Sequence, residues 1–353
     1  MVFGCGNVIV RPDRFISAEA GDTVSAREKN IMGVGEFIRS VPVPICGLSL
    51  GLASLDRFLR CYYRDVYAFD VFAYASFVIL ILFTVRILID RRGVAEELRS
   101  PAVYGILPTY AMSVMLLSAC AADMCGGIVK DIALFPWLAA VVACYAVMFF
   151  FVKDNVMRNF GIEKVFPSWM IVFIGYCVAC TTSPSFGTET IGQVLFWSGV
   201  IGCAVMIPPA AYRVLRYGLP EQAVPQIAIF AAPANLCAAG CIESYGHAVT
   251  GITEIALMIL ALIGTVLFIA VIAYLPVMLN RKFSPSFSAF TFPLVISTVM
   301  FRKAGDMYGL TDNGVYGTFQ TATVWIASAA VVYVLILYVL FFYRKMRKEE
   351  GCV

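Results

Sequence analysis

Ten apolar stretches run along the chain with only short polar connections between them, at about 38–58, 67–90, 101–121, 132–152, 166–185, 190–212, 222–242, 252–274, 284–301 and 317–343. Each is long enough to cross a hydrocarbon core of about 30 Å as a helix. The pattern predicts an all-α integral membrane protein with ten transmembrane helices. The stretches are of two kinds. The odd-numbered ones, such as VPVPICGLSLGLASL from Val41 and VPQIAIFAAPANLCAAG from Val224, are rich in Gly, Ala, Ser, Thr and Pro. The even-numbered ones, such as FVILILFTVRILI from Phe77 and ALMILALIGTVLFIAVIA from Ala256, are mostly large aliphatic residues. This split predicts an inner ring of odd helices and an outer, lipid-facing ring of even ones.

Proline gives the inner ring a finer pattern. Pro44, Pro101, Pro167, Pro225 and Pro285 stand near the starts of the odd segments, and each is followed seven or eight residues on by Gly51, Pro108, Gly175, Pro233 or Pro293. The repeat is roughly 60 residues long. A proline suits the first turn of a helix, whose leading N–H groups have no intrahelical partner, but a second Pro or Gly two turns later removes or weakens a mid-helix bond. Broken backbone at membrane depth is tolerated only where it is buried in protein or lines a cavity. Small residues alone would equally serve close helix packing. Their phasing with proline in all five repeats favours a central pathway lined at Gly51, Pro108, Gly175, Pro233 and Pro293.

Composition agrees: 61% of the 353 residues are hydrophobic, 14% are charged, and the mean hydropathy is +0.85. Charge adds an orientation. Of the 26 lysines and arginines, 20 fall in the N-terminal arm, in the connections after the even helices and in the tail, which places both termini in the cytoplasm of a cell membrane. The net charge of +3 is modest, and the basic clusters Arg91–Arg92 and Arg344–Lys345–Arg347–Lys348 suit the inner membrane surface, so nucleic acid is not an expected partner. Residues 1–36 lack the apolar core of a signal peptide and are expected to form a cytoplasmic arm. Residues 37–343 form one channel domain and 344–353 a short basic tail.

Catalytic and metal chemistry find little support. There is no GxxxxGK[ST] motif and no Ser/His/Asp or paired-carboxylate constellation, so the chain is not expected to be an enzyme. Twelve cysteines are scattered along the chain, most of them inside predicted helices, where a thiol is ordinarily a small apolar residue. Cys177 and Cys180 form a CxxC with no further ligand nearby, and His247, the sole histidine, lies in a connection. No metal or cofactor is expected.

The odd helices all start on the same side, so they run parallel, and each N-terminus carries about half a positive charge from its aligned peptide dipoles. Such partial charges favour anions without a fixed countercharge. Proton- or sodium-coupled carriers usually keep ionisable groups near the midplane. Here Asp56, Glu221 and Glu243 lie only near helix ends, where interfacial solvation explains them. Passive conduction of small anions is the favoured reading, with coupled transport as the alternative. The ninth helix carries Phe283, Phe287, Phe290 and Phe292, the last beside Pro293. An apolar ring at the break can gate a pathway by occlusion or dewetting.

The segments VPVPICGLSLGLASL, FPSWMIVFIG, AIFAAPANLCAAG and FSPSFSAFTFPLVIS resemble the tellurite-resistance/dicarboxylate transporter family, across roughly residues 37–343. That family includes plant guard-cell slow anion channels, yeast malate and sulfite carriers and bacterial tellurite-resistance proteins, so the resemblance gives a coupled C4-dicarboxylate or sulfite carrier, or a tellurite-resistance protein, as the alternative to a passive anion channel. The resemblance implies ten helices as five hairpins around a central pore with quasi-five-fold pseudosymmetry, and a homotrimer with one pore per subunit. It also implies a gating phenylalanine on the ninth helix. Matching the aromatic-x-Phe-Pro pattern places that gate at Phe292, with Phe290 as the fallback.

Overall fold

The computed structural model describes residues 32–63, 70–158 and 160–347. Most of the expected N-terminal arm, residues 1–31, and residues 348–353 of the tail lie outside the described residues. Among the described residues there is no strand. The helices are α1 (Val34–Arg39), α2 (Ile45–Tyr62), α3 (Asp70–Ile89), α4 (Arg91–Glu97), α5 (Pro101–Tyr104), α6 (Pro108–Cys125) and α7 (Gly127–Phe151). They continue as α8 (Trp169–Ile174), α9 (Val178–Thr182), α10 (Glu189–Tyr217), α11 (Pro233–Tyr245), α12 (Ile252–Leu279), α13 (Phe292–Met307) and α14 (Gly314–Met346).

The apolar pattern predicts ten crossings, and eight stretches among the described residues are long and apolar enough by themselves. They are Asp70–Ile89, Pro101–Cys125, Gly127–Met157, Trp169–Phe186, Glu189–Tyr217, Glu221–Ala248, Ile252–Leu279 and Gly314–Met346. The two that fall short, α2 and α13, do so for a shared reason. α2 carries Asp56, Arg57 and Arg60 in its second half, and α13, only 16 residues long, ends with Arg302, Lys303 and Asp306.

Burial divides the helices as their composition implies. In Pro101–Cys125, Trp169–Phe186 and Glu221–Ala248 between 72 and 83% of the crossing stretch is buried in protein. In the aliphatic helices α3, α7, α10, α12 and α14 the share is 17–39%, and residues such as Phe77, Phe135, Ile201, Leu262 and Trp325 face outward. Polar residues are buried among the apolar core and bonded there: Ser49 and Ser76 bond each other across α2 and α3, and the Trp137 indole N–H donates to Thr182 Oγ1 at 2.8 Å. Around the interior, α2 packs on α6 and α13, α6 on α9, α9 on α11, and α11 on α13.

One end of the bundle is held by a buried cation. Arg86 of α3, 2% exposed, donates to the Val41 carbonyl and pairs with Glu97 of α4. The second Glu97 oxygen accepts from Val43 N at 3.1 Å, so one carboxylate ties α3 to the chain leading into α2. Removing one member of a buried pair costs about 3–5 kcal/mol, and the partial exposure of Glu97 places this pair toward the lower end. Arg86→Met should therefore lower the melting temperature of the detergent-solubilised protein by several degrees. Glu97→Gln, whose amide oxygen still accepts from Val43 N, should lower it less. Equal melting of both variants and the parent would refute this assignment.

Candidate functional site

The inner segments are interrupted where proline removes a donor. In the second, α5 stops at Tyr104, residues 105–107 form a turn, and Pro108 restarts the chain as α6. In the third, Gly175–Cys177 is a 3₁₀ turn between α8 and α9. In the fourth, an eleven-residue 3₁₀ run, Glu221–Ala231, precedes Pro233 and α11, and in the fifth Pro285–Phe290 precedes Phe292 and Pro293 at the start of α13. Runs of 3₁₀ helix beyond three or four residues are uncommon because their hydrogen bonds are poorer, so the fourth segment is held by its surroundings.

Gly51 departs from the expected pattern. The helix α2 runs through it unbroken, and the interruption in the first segment lies earlier, at Pro42 and Pro44 before Ile45. Glycine keeps its N–H, so within a helix it costs only about 1 kcal/mol and need not break it. Its role is close approach: a Cβ at Gly51 would stand 2.5 Å from Thr291 Oγ1 and 3.1 Å from Phe292 N. Gly51 is thus the point where α2 touches the start of α13.

Side chains satisfy the backbone groups that the breaks release. Thr291 Oγ1 lies 2.9 Å from the Gly47 carbonyl and 2.7 Å from that of Ser288. Ser297 Oγ donates toward the Ala231 carbonyl at 2.9 Å, and Asn235 Nδ2 reaches the same carbonyl at 2.8 Å and Gly264 O at 3.1 Å. Ser168 Oγ donates to Ala102 O at 2.8 Å.

The interruptions surround a cavity of about 50 Å³. Since one water needs about 10–15 Å³ of such space, it has room for only a few. Gly47 and Leu50 of α2, Thr109 and Met112 of α6, Gly175, Pro233 and Leu236 of α11, and Phe292 with Pro293 of α13 line it. Of the expected lining residues, Gly175, Pro233 and Pro293 are at the wall, Pro108 is represented by its neighbour Thr109, and Gly51 is absent from it. Phe292 is on the cavity wall. Phe290 is turned into an aromatic cluster, edge-on to Phe287 with centroids 5.1 Å apart, and Phe287 packs on Phe283. No ionisable side chain lines this cavity.

A second cavity, about 40 Å³, lies further along the same helices. It is lined by Ser54, Arg57 and Phe58 of α2, Leu116 of α6, Thr181 of α9, Glu243 of α11, and Ile296, Val299 and Lys303 of α13. In α2, α6, α11 and α13 the residues at the first cavity precede those at the second, so these helices run in the same direction. Charged side chains join them there. Arg57 donates to Asp123 of α6 at 3.3 Å, to Thr181 O at 2.8 Å and to Ser185 Oγ at 3.0 Å, while Lys303 pairs with Glu243.

This charged collar was not foreseen, although its spacing was readable: Phe292, Ile296, Val299 and Lys303 recur at one helical face. Asp56 also differs from the expectation of interfacial solvation. It is fully buried, accepts from Arg60 at 2.7 Å and from Ala73 N at 3.1 Å, and thereby fixes α2 to α3. Glu243 is ion-paired rather than simply solvated.

The remaining candidates are elsewhere. Cys177 and Cys180 are buried free thiols, Cys177 packing against Gly199, and among the described residues no group of three or more His, Cys, Asp or Glu is placed to hold a metal ion. His247 lies with Lys303 and Asp306 around a wider recess outside the collar.

Comparison with protein families settles the class. The profile of the SLAC1 family, voltage-dependent anion channels, matches residues 41–344. The chain belongs to that family. The match takes in every helix from α2 to all but the last turn of α14, hence both cavities. No curated protein sequence matches the chain. Family membership makes this a multi-pass membrane protein of a group of anion channels and transporters rather than enzymes.

The Gly51 contact carries a prediction. Gly51→Ala forces α2 away from Thr291 and the start of α13, and overpacking of this kind costs about 1–3 kcal/mol. Melting temperature in detergent should fall. Gly33→Ala, with nothing within 4 Å of the added carbon, should leave it unchanged. A neutral Gly51→Ala would show that the two helices are not in close contact.

Proposed function

We propose that the chain conducts small anions passively down their electrochemical gradient, through a pathway that runs from the apolar cavity to the collar and is gated by Phe292. The observation that carries this reading is the convergence of helix starts on a cavity without ionisable groups. α6, α11 and α13 all begin at its wall, so their partial positive ends face the space an anion must cross. A coupled carrier would be expected to place a titratable group there. The described lining has none.

In this reading α2 and α13 also cross the membrane, giving ten spans in five hairpins with quasi-five-fold pseudosymmetry. The closed sequence of contacts from α2 through α6, α9, α11 and α13 back to α2 supports it. Residues 37–343 are the channel domain, residues 1–36 and 344–353 are cytoplasmic, and three chains associate as in the family resemblance. Tags at residues 1 and 353 should accordingly resist external protease in intact cells. Digestion of either tag would contradict the ten-span topology.

Phe292 and Phe290 separate the gate from the core. Phe292→Ala enlarges the cavity and should raise anion current per purified protein, with selectivity over cations retained because the helix ends are unchanged. Phe290→Ala truncates a packed ring, which typically costs about 3–5 kcal/mol, and should lower yield or melting temperature without adding current. Proteoliposome flux with chloride, nitrate, sulfite and malate measures both. A well-folded Phe292→Ala protein that conducts no more than the parent would place the gate elsewhere.

A further inference from the structure

The helix α13 connects two unlike environments along one face. Phe292 stands at the apolar cavity, Ile296 and Val299 follow, and Lys303 stands at the collar. Eleven residues at 1.5 Å each separate Phe292 from Lys303 by about 16 Å. Lys303 lines the second cavity and also the wider recess that contains His247 and Asp306. It is therefore at the junction between the narrow pathway and open solvent.

The two cations of the collar differ in how fully they are occupied. Arg57 uses three nitrogens on three partners: Asp123, Thr181 O and Ser185 Oγ. Its guanidinium is a strut between α2, α6 and α9. Lys303 has three N–H donors and, among the described residues, a single ion-pair partner, Glu243. Its side chain is 20% exposed and that of Glu243 24%, so both are reachable from the cavities they line. This one partly exposed ion pair is a contact that an incoming anion can match.

We propose that Lys303 is an anion-binding site at the collar and that Glu243 is its built-in competitor, a tethered carboxylate that a permeating anion displaces. The proposal rests on the conduction reading for its physiological sense, but the site itself binds anions whether or not the pathway conducts. Glu243 keeps Lys303 neutralised when no anion is present, so the collar does not hold an unpaired charge. It also prevents tight capture, since an ion bound strongly enough to enter but too strongly to leave would block flux.

The test uses chloride as the probe, replaced by gluconate at constant ionic strength, with two readouts on the purified full-length protein. The first is the chloride dependence of melting temperature in detergent, because an ion that binds the folded state stabilises it by mass action. The second is chloride flux in proteoliposomes made with the Phe292→Ala protein. Glu243→Gln should lower the half-saturating chloride concentration at least about twofold. Lys303→Met should abolish the saturable chloride effect on melting, and Lys303→Arg should restore it. The double variant Glu243→Gln/Lys303→Met should behave as Lys303→Met does.

A gain in affinity at Glu243→Gln cannot arise from misfolding, so the sign of that change decides the matter. Chloride stabilisation that is absent in the parent, or unaffected by Lys303→Met, overturns the site. Weaker chloride binding in Glu243→Gln makes the ion pair a structural tie and overturns the competition. If melting responds as expected but Phe292→Ala liposomes pass no chloride, the conduction reading fails and the binding site stands.

Discussion

The demand that every backbone polar group find a partner away from water governs this molecule. A continuous helix meets most of that demand alone, and the outer helices α3, α7, α10, α12 and α14 run continuously, even through Pro136, Pro208, Pro209 and Pro276, with large aliphatic surfaces turned toward lipid. The inner segments give up that self-sufficiency at their prolines. Carbonyls beside the breaks are then served by hydroxyl and amide side chains, as Ser168 does for Ala102 and as Ser297 and Asn235 do for Ala231. Each repair ties two inner segments together. The interruptions are thereby sources of tertiary structure, and the small residues around them allow the approach that the bonds require.

The same economy of polar groups shapes the electrostatics. A fixed positive charge at the first cavity would have to be desolvated and would bind an anion too firmly to release it. Helix starts supply partial charge that is already paid for by the fold and cannot be titrated. Full charges occur only where α2, α6, α11 and α13 approach their ends, and there they are paired: Arg57 with Asp123, Lys303 with Glu243. The two helices too charged or too short to qualify as crossings on apolarity alone, α2 and α13, are the ones that supply those cations.

Much of this was legible in the sequence. Pro108, Pro233 and Pro293 stand at helix starts, where the missing donor is not needed, whereas Pro136, Pro208, Pro209 and Pro276 lie inside continuous outer helices, so it was the recurrence of proline in the small-residue segments that was informative. The division into inner and outer helices followed from residue size. Glycine is a weaker sign, since it only permits a break: Gly175 sits in a 3₁₀ turn, whereas Gly51 lies in continuous helix and serves contact with Thr291. Phe292 and Phe290 are two residues apart, so the sequence could not show which ring faces the cavity. The collar was missed because its members lie on different segments, and Arg57 meets Asp123 and Ser185 only once the ring of helices is assembled. Asp56 and Glu243 looked like interfacial residues for the same reason.

The separation between the apolar constriction and the collar has a physical consequence of its own. An anion at the collar meets Ser54, Thr181 and the two cations, groups able to replace part of its water. Beyond them it faces Ile296, Val299 and then the Phe292 ring, where no side chain offers a full charge. Partial dehydration is therefore compensated at the collar before the ion reaches the stretch in which only helix starts attract it. A cation entering the same recess would meet Glu243 and then the positive ends of α6, α11 and α13. Under the proposed conduction, selectivity would belong to the interior and capture to the collar. The two properties can accordingly be changed by substitutions at different residues of a single helix, α13.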